Sequence, residues 1–200
     1  MKRRVCNVTL ANDIQVTNVI KIENGIKSEV NLNGKTITAG VFSENKGAVE
    51  EGTTDSYAFW VKDGGELVID GEGEVVAQEA KYSMAVWAQG GTVVINSGKF
   101  SNGGDGCDLI YASAGGKVHI YGGEFHATPR LGGESGTKNA YSALNIKDGD
   151  RENSEIVVYG GTFYGFNPAN NVSEGPNTNF VADGYKSVEI SEGVWKVTAA

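Results

Sequence analysis

Gly90-Gly91-Thr92-Val93-Val94-Ile95-Asn96-Ser97-Gly98-Lys99-Phe100 is followed 25 residues later by Gly115-Gly116-Lys117-Val118-His119-Ile120-Tyr121-Gly122-Gly123-Glu124-Phe125. Each stretch carries a glycine pair, an apolar alternation ending on isoleucine, a turn, and Gly-x-Phe. Alternation with β-branched residues is the pattern of a short strand. Glycine supplies the positive φ that tight corners need. The runs are too short and too β-branched for helices.

The same pattern recurs along the chain. Val30-Asn31-Leu32-Asn33-Gly34, Leu67-Val68-Ile69-Asp70-Gly71, Ile156-Val157-Val158-Tyr159-Gly160 and Val188-Glu189-Ile190-Ser191-Glu192-Gly193 are further copies. With Leu32, Ile69, Ile95, Ile120, Val158 and Ile190 as anchors, the intervals are 37, 26, 25, 38 and 32 residues. The longer ones fit insertions into a constant unit. Gly64-Gly65 is in phase with Gly90-Gly91 and Gly115-Gly116. Phe100, Phe125, Phe163 and Trp195 all follow their anchors at the Gly-x-aromatic position. Repetition of this kind marks stacked supersecondary units that share one core.

The reading is an all-β chain: a right-handed parallel β-helix, or solenoid, of about six coils with loops along one edge. It places one domain over residues 1–200, with lead-in strands over 1–29 and coils over 30–197. Loops are expected at 41–57, 127–140 and 165–178, leaving the column at one corner. All three prolines, Pro129, Pro168 and Pro176, fall in the last two. A β-sandwich would give turn signals but not in-phase glycine pairs and aromatics.

Composition narrows the function. The chain has 200 residues, 29 of them glycine, and a net charge of −8. No basic face for nucleic acid is visible. No run approaches the ~18 apolar residues of a membrane span. Residues 5–13 form no continuous apolar segment behind the basic start, so no signal peptide is expected. Cys6 and Cys107 are the only cysteines, and His119 and His126 the only histidines. Two distant cysteines make neither a disulfide scaffold nor a zinc site; they read as reduced, partly buried thiols. No cofactor or metal is expected.

Candidate contact residues come from counting nine back from the anchors. This gives Trp60, Val86 and Tyr111 as an outward row, continued by Asn145. Phe59, Val61, Ala85, Trp87, Ile110 and Ala112 should then point inward. An exposed strip of this kind suits a subunit contact or a sugar ring, unless loops cover it. For catalysis, glycoside hydrolysis needs two carboxylates across a groove. Asp105 and Asp108, in a glycine-rich corner, are the best local pair, with Asp148 and Asp150 next. Aspartate beside glycine is also ordinary turn chemistry, so no catalytic residue is assigned. His119 reads as an outward strand residue, and His126 follows the aromatic position.

The pattern resembles right-handed parallel β-helix proteins, the fold of pectate lyases, polygalacturonases and phage tailspikes. Asn31-Leu32-Asn33-Gly34-Lys35-Thr36-Ile37-Thr38, after the Val/Ile-rich stretch Val8 to Ile22, is similar to their first coil. Residues 166–171 and 179–185 resemble the end of small β-helix proteins of tailed phages. That resemblance implies a non-enzymatic virion structural protein: a capsid decoration, head fibre, or tail spike or fibre component. It would be made in the host cytoplasm, contact other virion proteins and form a homotrimer. The alternative it implies is a tailspike-like β-helix that binds or depolymerises a cell-surface polysaccharide, with Trp60 or Tyr111 as a sugar platform. The calcium-site acids with a neighbouring arginine, typical of the lyases, have no counterpart here, nor do the Asn-x-Asp and Asp-Asp motifs of polygalacturonases.

Overall fold

In the computed structural model, which describes residues 5–42, 54–80, 82–103, 108–127 and 142–200, the strands fall into three sheets. The first contains β1 (Val5–Thr9), β4 (Lys27–Asn31), β7 (Glu66–Asp70), β10 (Thr92–Ile95), β13 (Lys117–Ile120) and β16 (Glu155–Val158). The second contains β2 (Ile14–Val16), β5 (Lys35–Ala39), β8 (Gly73–Glu79), β11 (Lys99–Gly103), β14 (Glu124–His126) and β17 (Gly161–Tyr164). It ends with β19 (Val194–Ala199) and β18 (Tyr185–Ser191). The third contains β3 (Ile20–Ile22), β6 (Asp55–Lys62), β9 (Tyr82–Gln89), β12 (Asp108–Ser113) and β15 (Ser142–Ile146). The chain is all-β, with no helix among the described residues. It visits the three sheets in turn, and all strands but β18 and β19 pair in parallel.

Register aligns like with like. Val30, Ile69, Ile95, Ile120 and Val158 occupy one row, and each is buried. Ile37, Val75, Phe100, Phe125 and Phe163 form a second buried row. Its phenyl rings stack at 5.2 Å and 4.7 Å with interplanar angles of 7° and 12°. Each such pair adds about 0.5–1.5 kcal/mol to the burial of the rings.

The glycine pairs have a steric cause. Gly90 holds φ at 71°, the left-handed corner conformation. Gly91 has no room for a side chain, because a Cβ there would lie 2.8 Å from the carbonyl oxygen of Val61 in the adjacent strand.

Several expectations are corrected. The residue in register with Ile69 is Val30, not Leu32; Leu32 is buried two positions on and donates its N–H to the Asp70 carbonyl. The lead-in β1 to β3 already fills the first place in each sheet, with Val8 beside Val30. The Val188–Ile190 copy does not continue the parallel first sheet. Its place beside Val158 is taken by Phe180 to Ala182, which exchange backbone hydrogen bonds with Val158. Val188 and Ile190 instead lie in an antiparallel hairpin, where Ile190 is 57% exposed. Trp195 does sit beside Phe163, but on an antiparallel strand. Asp55 to Tyr57, expected in a loop, belong to β6. Cys6 is exposed on β1, and Cys107 lies outside the described residues.

Both 40–54 and 127–141 join the second sheet to the third, and 165–184 also leaves the second sheet after β17.

Candidate functional site

The outer face of the third sheet carries most of the residues singled out from the sequence. Register there runs Lys21, Trp60, Trp87, Tyr111, Asn145. Trp87, not Val86, is therefore the outward residue of β9. Val86 is fully buried beside Phe59 and Ile110. The cause is corner length. Three residues separate Lys62 from Glu66 and Ser113 from Lys117, but only Gly90 and Gly91 separate Gln89 from Thr92. A count of nine back slips by one, and a slip of one moves a side chain to the other face. Phe59, Val61, Ala85, Ile110 and Ala112 are in the core as expected.

The row does not form an exposed strip. Trp60 and Trp87 are buried, and Tyr111 and Asn145 are half-buried. The two indoles stack at 5.2 Å and 7°, with Tyr57 edge-on to both and Phe42 at 5.7 Å from Tyr57. Trp60 Nε1 donates to Gln89 Oε1 and Trp87 Nε1 to Ser113 Oγ, so both indole N–H groups are satisfied. The ammonium groups of Lys21 and Lys62 each lie 4.8 Å from the Trp60 ring centroid, within cation–π range. This second hydrophobic cluster is a stabilised outer layer rather than an open platform.

At its margin sit two unusual polar groups. Asp55 is fully buried, and neither its carboxylate oxygens nor the Tyr57 hydroxyl finds a hydrogen-bond partner among the described residues. Burial pushes the Asp55 carboxyl up to about 6. Burial first, and then the Asp55 charge, push the Tyr57 hydroxyl up to about 12. Desolvation disfavours the charged form in both cases.

Of the candidate acid pair, Asp105 lies outside the described residues. Asp108 accepts a hydrogen bond from Asn145 Nδ2 at 2.9 Å, which ties β12 to β15. Asp150 accepts the Ala114 N–H at 2.8 Å, and Asp148 lies 3.6 Å from Arg151. Glu174, which the sequence did not single out, folds back from the 165–178 segment. It accepts the Ile146 N–H and pairs with Arg151 Nε, closing the outer edge of β15. Burial, together with Asp108, Asp148, Asp150 and Glu174, raises the Tyr111 pKa. Asp108, Asp150 and Glu174 thus brace the ends of β12 and β15. No group of three His, Cys, Asp or Glu among the described residues is placed to hold a metal.

The outer face of the first sheet holds the aromatic feature that sequence reading missed. Tyr121 and Tyr159 stack at 4.7 Å and 7°, and Tyr185 meets Tyr159 edge-on at 5.5 Å. Tyr121 is 52% exposed. His119 is outward as expected and half-buried, 6.2 Å from Tyr159 and 3.5 Å from Glu155. His126 stacks on Tyr164 at 3.8 Å. The signal for it lies one residue past each anchor: Asp70, Asn96, Tyr121 and Tyr159 are in phase, at a position that turn residues also fill.

No family model, curated protein or solved structure matches the chain.

Where the corner joins the first and second sheets, Gly73, Gly98, Gly123 and Gly161 floor an open groove of about 570 Å³, flanked by Lys99, Glu124 and Lys196. Among the described residues no helix is long and apolar enough to cross a membrane.

Proposed function

We propose that the chain is a right-handed parallel β-helix of about six coils. In this reading it serves as a non-enzymatic structural component of a tailed-phage particle, as a decoration, head fibre, or tail spike or fibre part. It assembles with itself as a homotrimer and meets other virion proteins. The cyclic order of the sheets supports the fold, because parallel strands joined in one rotational sense stack as a column.

The observation that carries the structural role is the chemistry of the outermost strands. β1 carries Val5 and Val8 at 57% and 39% exposure, and β18 carries Val188 and Ile190 at 41% and 57%. Both are end strands of their sheets. Open edges with apolar residues favour further pairing. Of the candidate carboxylates among the described residues, Asp108 is bonded to the Asn145 amide, Asp148 faces Arg151 and Asp150 accepts the Ala114 N–H.

Light scattering tests self-assembly. A trimer has a mass of about 63 kDa, three times the chain's 21.1 kDa, and Ile190→Lys should lower it. A mass near 21 kDa for the unaltered chain removes the homotrimer. Mass spectrometry of particles purified from the producing host tests the virion assignment: stoichiometric amounts support it, and absence rejects it.

A further inference from the structure

The first sheet's outer row changes character halfway along. Thr9, Asn31, Asp70 and Asn96 are short, polar and exposed; Tyr121 and Tyr159 follow with large rings. Neighbouring strands lie ~4.8 Å apart, and the two rings stack at 4.7 Å, so each strand contributes one rung to the ladder. On one side Tyr121 is covered by Tyr159. On the other side the next rung is only Asn96, which leaves Tyr121 half exposed. The result is a step one ring high.

We propose that the free face of Tyr121 is a subsite for a pyranose ring of a polysaccharide. The guest takes the missing rung above Asn96. A pyranose presents C–H groups on its face and hydroxyls around its rim, and the step offers one aromatic face beside a polar row. Asp70 is held in place for this role: its Oδ1 accepts the Gly71 N–H and the Ser97 hydroxyl, each at 2.7 Å. A groove of about 260 Å³ continues the row over Thr9, Asn31 and Asp70, beside Asn7 and Glu29. It gives the next sugar residues a path along the column. A planar aromatic guest would stack equally well on Tyr121 but would leave the polar row unused. The proposal is independent of the virion role and does not involve Trp60 or Tyr111, which are not an open platform.

The test is titration of the full chain with cellohexaose and chitohexaose, followed by saturation-transfer NMR and calorimetry. Binding of one of them with transfer to Tyr121 ring protons is expected. Tyr121→Ala should weaken binding about tenfold, the scale of one lost stacking contact, whereas Tyr121→Trp should retain it. Asn96→Tyr should abolish binding by supplying the rung from within the chain, with unchanged circular dichroism. The proposal is overturned if neither oligosaccharide binds, if binding survives both Tyr121→Ala and Asn96→Tyr, or if an aromatic probe such as N-acetyltyrosinamide binds there and the sugars do not.

Discussion

Replacing Asp55 by asparagine should stabilise the protein near pH 7 and remove part of its pH dependence. Asp55 is fully buried, and its carboxylate oxygens lack hydrogen-bond partners among the described residues. Its pKa stands at about 6 in place of the ordinary 3.8. Above about pH 6 both folded and unfolded chains carry the charge, and the folded chain bears its full desolvation cost. Between 3.8 and 6 the folded chain holds a proton that the unfolded chain has released. Stability therefore rises as pH falls through that window, the reverse of an ordinary salt-bridged aspartate. At about 1.36 kcal/mol for each tenfold change in acidity, the span is worth about 3 kcal/mol. Asparagine keeps the shape without the charge. The variant should gain up to about 3 kcal/mol at pH 7, or roughly 6–12 °C in Tm for a chain of this size. It should converge on the parent near pH 4. Paired thermal melts from pH 4 to 7.5 measure this, because unrelated titrations cancel in the difference. Parallel melting curves across the window, with no gain at pH 7, would falsify the assignment. Tyr57 gives a second readout: its hydroxyl, now pushed up to about 12, should titrate lower in Asp55→Asn.

Three further outcomes are expected. Phe125→Ala removes the middle ring of the stacked row and should cost about 3–5 kcal/mol in urea unfolding; a loss below 1 kcal/mol would mean the ladder is not a close-packed column. Gly91→Ala should destabilise by about 1–3 kcal/mol through its clash with the Val61 carbonyl, whereas alanine at an open surface glycine with negative φ would be nearly neutral. Ser97→Ala should raise the Asp70 pKa toward its ordinary value in an NMR titration. The Ser97 hydroxyl is the largest cause of its depression, followed by the Gly71 N–H. That depression contributes stability above the ordinary pKa, lost as pH falls, so acid should affect the variant less.

The features legible from sequence were those with a strict period. The glycine pairs, the isoleucine row and the three phenylalanines kept phase because each is fixed by contact with its equivalent one strand away. Reading failed wherever corner length varied. The Gly90-Gly91 corner is one residue short, and that shifted the outer row from Val86 to Trp87. It failed again where parallel pairing gives way to the antiparallel β18–β19 hairpin. Val188-Glu189-Ile190 has the local pattern of a core strand, but alternation cannot report whether a strand runs parallel or antiparallel. Glu174 was invisible for a related reason, since nothing local shows that a carboxylate will reach back to the Ile146 N–H. The Tyr121–Tyr159 step is hidden in the sequence because a turn and a ladder share the same position.

The connection between the second and third sheets varies widely in length. Two residues separate Glu79 from Tyr82 there, and fifteen separate Ala39 from Asp55. The strands on either side nevertheless remain paired in parallel between neighbouring rounds. Length at this edge is thus decoupled from the parallel pairing of the sheets. Loop closure becomes only slowly more costly with each added residue. The edge is therefore a display rail on which added surface need not disturb the sheets, and a peptide epitope inserted between Phe42 and Thr54, which keeps the Phe42–Asp55 pairing and the Phe42–Tyr57 contact, should leave the core rows in place.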